Sequence, residues 1–235
     1  MPPKTLVLLP GLDGTGNLFA KFVSALRPSL EARIVRYPTD RPLSYADLFS
    51  LVVKAIPQSQ PFVLLAESFS TPLAVRLAAT NPASLKALVI CAGFIKNPLR
   101  GWLRYMTRFV QPLLFRIPPP RFVLERFLIG AQAPSELRDE VRRTLRSVSP
   151  EVIAFRVRAV MACDATREFA LIRVPVLYLQ AGQDRLVSKS SFQEIREVKP
   201  DAILAVIAAP HFVLQREPNS AADAIAQFVA ALPAL

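Results

Sequence analysis

Ser68, Asp184 and His211 are the residues of this chain whose types could do chemistry together, and they occur in the order hydroxyl, carboxylate, imidazole. A serine hydroxyl is a poor nucleophile until a base takes its proton, and the base works when an acid holds its tautomer. The chain has one histidine in 235 residues, so any imidazole proton transfer must run through His211, in Ala209-Pro210-His211-Phe212. Ser68 lies in Leu64-Leu65-Ala66-Glu67-Ser68-Phe69-Ser70 and Asp184 in Ala181-Gly182-Gln183-Asp184-Arg185, and each of the three follows an apolar run. Asp164 and Asp201 are rivals for the acid. Asp201 precedes its apolar run, which puts it at the opposite edge of a sheet, and Asp164 sits near the end of a helical stretch. The 27 positions between Asp184 and His211 leave room for one helix and one strand.

The elements that would position these residues can be read from hydropathy. Thr5 to Leu9, Arg33 to Val35, Phe62 to Leu65, Ala87 to Cys91, Val174 to Leu179 and Ile203 to Ile207 are short apolar runs bounded by Pro, Gly or polar residues. Continuous apolar runs of this kind predict parallel strands buried on both faces. Helical spacing falls between them, over Asn17 to Leu26, Ser44 to Ile56, Thr71 to Thr80, Ser188 to Val198 and Ala221 to Leu232. The alternation predicts an α/β fold, a doubly wound and mostly parallel sheet of about six strands, with its ligand site at the strands' carboxyl ends. Ser68 then stands in a strand, sharp turn, helix context, against the simpler reading of a turn serine that caps the next helix.

Between Phe94 and about Thr166 the alternation fails, and helical stretches are interrupted by Pro118-Pro119-Pro120 and by Pro134. We expect an α/β core from 1–96 and 167–235 with a helical cap at 97–166, inserted before the last two strands. A first cap helix from Gly101 to Phe115 would put Trp102, Met106 and Phe109 near one face as a substrate-binding surface. Arg100, Arg104 and Arg108 would share another face, either solvated or facing lipid.

Composition narrows the classes. A hydrophobic fraction of 52% supports a large core, and the net charge of +11 raises the question of an anionic partner. From Asn97 to Val160 there are twelve arginines against five acidic residues. The excess is spread through predicted helices and no nucleic-acid motif accompanies it, so no nucleic-acid partner is expected. Contact with an anionic membrane surface stays open. Cys91 and Cys163 are too few for a disulfide framework and read as structural. The apolar run before Pro10 is too short for a signal peptide, and no run has the roughly 18 residues of a span, so a cytoplasmic protein is expected. One histidine and two distant cysteines supply no usual zinc site, and neither metal nor cofactor is expected.

Taken together, Leu9-Pro10-Gly11-Leu12-Asp13-Gly14-Thr15-Gly16, Ala66-Glu67-Ser68-Phe69-Ser70, Gln180-Ala181-Gly182-Gln183-Asp184 and Pro210-His211 resemble the α/β-hydrolase fold, in its carboxylesterase- or lipase-like form, over nearly the whole chain. The resemblance implies Ser68 as nucleophile, His211 as base and then acid, Asp184 as its orienting partner, and the backbone amides of Leu12 and Phe69 as an oxyanion hole. The chain departs from the pattern at Ala66 and Ser70, where glycine is usual, and at Pro10, where a histidine is common. No room precedes the first strand for the antiparallel hairpin of larger members, so a pared-down sheet is expected. The function implied is hydrolysis of short- to medium-chain carboxylic esters through an acyl-Ser68 intermediate. Acyltransferase or thioesterase chemistry with the same triad, and a silent ligand-binding module on the same fold, are the alternatives. A dinucleotide site at Gly11, Gly14 and Gly16 is disfavoured, because the spacing is wrong and Arg36 stands where an acid should end the second strand. Ser68 in place of an aspartate nucleophile argues against a haloalkane dehalogenase.

Overall fold

A computed structural model describes residues 5–99, 107 and 109–232. Six strands form one sheet: β1 (Thr5–Leu9), β2 (Glu31–Ile34), β3 (Phe62–Glu67), β4 (Leu85–Cys91), β5 (Val176–Ala181) and β6 (Ile203–Ile207). Their order is β2-β1-β3-β4-β5-β6 and every pairing is parallel. The apolar runs explain this arrangement. Leu6 to Leu9 and Phe62 to Ala66 are fully buried, as strands sandwiched between helices must be, and each such Leu, Val or Phe contributes about 1.5–3 kcal/mol on burial.

Helices α1 (Ala20–Ala25), α2 (Tyr45–Ala55), α3 (Thr71–Ala79), α8 (Ser190–Val198) and α10 (Pro218–Ala230) cover the sheet. Two cores result. One lies under α2 and α3 around Leu48, Leu73 and Tyr178; the other lies under α1 and α10 around Phe22, Leu179 and Ile225. Helix α2 starts where its sequence says it should, since Ser44 and Asp47 make a reciprocal capping box. Edge strand β6 departs from the expectation of burial on both faces: Ile203, Leu204 and Val206 are partly open to solvent, as only one neighbour strand shields them.

The stretch between β4 and β5 holds α4 (Arg121–Leu124), a π-turn Glu125–Ile129, α5 (Ser135–Arg146), α6 (Pro150–Met161) and α7 (Thr166–Ala170). Its two ends are tied by an antiparallel bridge between Lys96 and Asp164, with Asn97 N–H donating to the Cys163 carbonyl at 2.9 Å and Ala165 N–H to that of Ile95 at 2.7 Å. The first part of the expected helix from Gly101 to Phe115, with Trp102 and Met106, lies outside the described residues. Its described end corrects the expectation. Among the described residues 3-10 turns form there in place of an α-helix, one of them Pro112–Phe115, and Pro112 has no N–H to continue an α-helix. No helix among the described residues is long and apolar enough to cross a membrane.

Candidate active site

Three strand ends meet at the carboxyl edge of the sheet. Ser68 directly follows β3 with φ at +46°, a left-handed conformation that L residues occupy only under constraint. The constraint is the turn from β3 into the helical stretch that becomes α3, with Ala66 and Ser70 wholly buried on either side. Small residues suffice there. Ser70 adds something glycine would not: its hydroxyl donates to the Pro10 carbonyl at 2.5 Å and accepts from the Tyr37 hydroxyl at 2.8 Å. That link supports the loop after β1 where the family pattern has a histidine.

β5 and β6 are adjacent, and the loops beyond them stay joined. Gly182 N–H donates to Ile207 and Gln183 N–H to Ala209, at 2.7 and 2.9 Å. Asp184 and His211 are thereby side by side, and Asp184 Oδ2 accepts from His211 Nδ1 at 2.8 Å. The other carboxylate oxygen accepts from the backbone amides of Leu186 and Val187, at 2.8 and 3.0 Å. Both side chains are about 95% buried, the remaining exposure being 5% for His211 and 4% for Asp184. The opposite ring nitrogen, His211 Nε2, lies 3.0 Å from Ser68 Oγ. An imidazole so held can take a proton from the hydroxyl, with its own Nδ1 proton fixed on Asp184.

Ser68 and His211 belong to strands separated by β4 and β5, about 14 Å at sheet spacing. The loop after β6 crosses back over that distance. It is held by Phe212 N–H on the Leu128 carbonyl (3.0 Å), by Arg216 on the Ile129 carbonyl (2.6 Å), and by Gln215 Nε2 on Glu67 Oε1 (2.9 Å), the last two partners from α9 (Val213–Arg216). Two of these anchors come from the segment between β4 and β5.

The loop after β1 carries Leu12. Gly11 C=O accepts from Gly14 N–H at 3.1 Å, and because the peptide is trans the Leu12 N–H points the other way, out of the turn. Phe69 N–H, at the start of the helical stretch, has no intrahelical carbonyl to bond. Leu12, Ser68, Phe69 and His211 line one cavity of about 270 Å³, whose remaining walls are mainly Leu, Val, Phe and Met side chains, among them Phe94, Leu99, Leu145 and Val160. Phe109 is not among the lining residues and is 52% exposed. It precedes the Pro112–Phe115 turn and does not lie on an α-helix. Asp164 is occupied by Thr166, and Asp201 pairs with Lys199 at the surface, so neither reaches His211.

Two buried charges escaped the sequence reading. Arg156 of α6, 2% exposed, donates to the carbonyls of Leu12 (2.9 Å), Asp13 (2.7 Å) and Pro38 (2.8 Å) and lies 5.7 Å from the ring centroids of Tyr37 and Phe69. Gly14, at φ +74°, leaves room for it, since a Cβ there would come within 2.5 Å of its guanidinium. The signal was available: Arg156 falls three and four positions after Ile153 and Val152, on the buried face of the helix. Glu67, next to Ser68, is the second. Burial pushes its carboxyl up to about 7, against the opposing hydrogen bonds from Gln215 and the Gly11 amide. For His211, burial disfavours the charged form, but the charge and hydrogen bond of Asp184 and the charge of Glu67 outweigh it, and the pKa lies above the usual 6.5. Among the described residues no cluster of His, Cys, Asp and Glu is placed to hold a metal.

A parallel sheet bearing a strained serine after β3, an acid after β5 and a histidine after β6 defines an α/β-hydrolase-fold protein. More narrowly, the profile of the family described as serine aminopeptidase, S33, matches residues 42–230, and the chain belongs to that hydrolase family. Solved structures repeat the fold at low identity. A lipase-esterase related protein from Clostridium acetobutylicum is 15% identical, with a TM-score of 0.78 over 97% of this chain and 95% of that one. A bromoperoxidase from Bacillus anthracis is 15% identical, TM-score 0.79, over 97% and 92%. The enol-lactonase from Burkholderia xenovorans is 19% identical, TM-score 0.73, over 98% and 92%. No curated protein sequence matches the chain significantly.

Proposed function

We propose that the protein hydrolyses carboxylic esters with an apolar acyl group, through an acyl-Ser68 intermediate. The observation that carries this reading is the hydroxyl–imidazole–carboxylate relay of 3.0 and 2.8 Å opening into an apolar cavity. In the reaction, Ser68 Oγ attacks the ester carbonyl as its proton passes to His211 Nε2, and the same proton is then delivered to the leaving alcohol. Water attacks the acyl-enzyme by the same route in reverse. The amides of Leu12 and Phe69 receive the negative oxygen of each tetrahedral intermediate in this reading, and a donor of this kind is worth roughly 3–4 kcal/mol. The helices between β4 and β5 act as the cap that shapes the acyl site.

An aminoacyl substrate, as the family's description suggests, needs a carboxylate for its ammonium. The acids at this cavity are engaged: Asp13 accepts from the Thr15 amide at 2.8 Å and from its hydroxyl, Glu67 from Gln215. Neutral acyl groups therefore suit it better. The test is a panel of p-nitrophenyl esters of increasing chain length beside aminoacyl p-nitroanilides. Ester turnover should lead, highest for short to medium chains. Preferential release from the anilides would overturn the ester assignment, and faster transfer to a thiol or an alcohol than to water would point to the transferase reading.

Arg156 acts as a positioning residue for the Leu12 amide. A displacement of about 1 Å at a reacting group costs about a hundredfold, so Arg156→Ala should lower kcat by that order with KM changed little. Arg156→Lys should recover only part, because an ammonium cannot span three carbonyls with a planar fork. A kcat within twofold of the parent in Arg156→Ala would remove the role.

His211 must be neutral to accept the proton, so kcat/KM should fall as pH drops through a value above 6.5. Glu67→Gln deletes a negative charge facing His211 and should move that acid limb to lower pH. A limb that stays put or moves up would show that Glu67 does not face the imidazole electrostatically.

A further inference from the structure

The stretch from the 3-10 turn into α4 exposes large apolar side chains. Leu113, Leu114, Ile117 and Phe122 are 68%, 64%, 77% and 70% exposed. Single exposed apolar residues are ordinary, but a run of large ones marks a contact surface. Only Phe115 of this run turns inward, against Val148, Val152 and Ile153. Pro118 to Pro120 fix the backbone between, so the outward residues are held out.

Phe122 also forms the rim of a cleft of about 610 Å³ lined by Arg126, Arg185 and Arg216, with Gln132 and Gln183. The one acid there, Glu125, is already paired with Arg121 at 2.7 Å and with Arg138 at 3.3 Å. The cleft thus presents net positive charge at Phe122, the last of the exposed apolar residues. We propose that this face docks on an anionic phospholipid bilayer, with Leu113, Leu114, Ile117 and Phe122 entering the acyl layer and Arg126, Arg185 and Arg216 against the lipid phosphates.

The juxtaposition selects this occupant. A bilayer is apolar inside and negatively charged at its rim, which suits an exposed apolar run whose last member, Phe122, lines a cleft bearing three arginines. A second copy of a chain carrying a net charge of +11 would set the same arginines against one another in a two-fold contact. The chain runs from this surface to the cavity: Leu128, six residues after Phe122 in sequence, lines it with Ser68. The docking does not depend on Ser68 being a nucleophile.

Sedimentation with vesicles tests it. The protein should pellet with vesicles of phosphatidylcholine and phosphatidylglycerol at low ionic strength, be released at high salt, and stay in solution with phosphatidylcholine alone. Arg126→Gln and Arg185→Gln should each weaken binding about fivefold. The double variant Ile117→Asn, Phe122→Asn should lose binding while keeping its thermal melt and its turnover of a soluble ester. Free glycerol phosphate should compete poorly. No pelleting with anionic vesicles at low salt, equal pelleting of the double variant, or a stable dimer dispersed by that variant would each overturn the proposal, and efficient competition by glycerol phosphate would replace the bilayer by a soluble anion.

Discussion

Ser68→Ala is expected to lower ester turnover about a million-fold, the scale at which loss of a serine nucleophile is felt in a known protease. The fold should be untouched, since the change removes one oxygen. The variant should still bind an apolar acyl ester in the cavity, because the residues that line it are intact. His211→Ala should cost as much, and the double variant should be scarcely worse than either alone, as Ser68 Oγ and His211 Nε2 act through one 3.0 Å contact. Turnover by Ser68→Ala within tenfold of the parent would end the acyl-enzyme reading. Additive losses in the double variant would show that the two residues act separately.

Asp184→Asn is expected to cost about 10⁴-fold in kcat. An asparagine fills the same space, and its side-chain oxygen can keep the amides of Leu186 and Val187. Its NH₂ then faces His211 Nδ1, which must accept instead of donate. The ring's proton is driven to Nε2, the atom that has to be bare to take the proton of Ser68. Burial makes the effect large, since no water is at hand to rescue the tautomer around side chains only 4–5% exposed. Asp201→Asn, by contrast, should leave turnover unchanged, because its carboxylate pairs with Lys199 at the surface. Equal losses in the two variants would reject the assignment of the acid.

The central strands were legible because burial on both faces demands unbroken apolar runs; β1 has the bounds that its run implies, and so does β6 although it is partly exposed. β3 runs two residues further than its apolar run, through Glu67, and β5 lies two residues later than its run, over Val176–Ala181 in place of Val174 to Leu179. Glu67 is a charged residue type in a strand buried throughout, which hydropathy cannot anticipate; only the Gln215 and Gly11 partners explain it. The 3-10 turn at Pro112 shows the same limit from the other side. Helical spacing through Phe109 and Leu113 promised an α-helix, and the missing amide of one proline stopped it.

The sequence by itself determined the alternation of strand and helix, the order of serine, acid and histidine, and their places after strand ends. These follow from local periodicity and chain order. It did not determine how His211 reaches Ser68 across two intervening strands, nor that Arg156 would enter the loop after β1. Those were decided by the tertiary structure, because contacts such as Gln215 with Glu67 and Arg156 with Leu12 join residues 148 and 144 positions apart. Buried carbonyls and carboxylates must find partners, and which partners are within reach is fixed only once the chain has folded over the sheet.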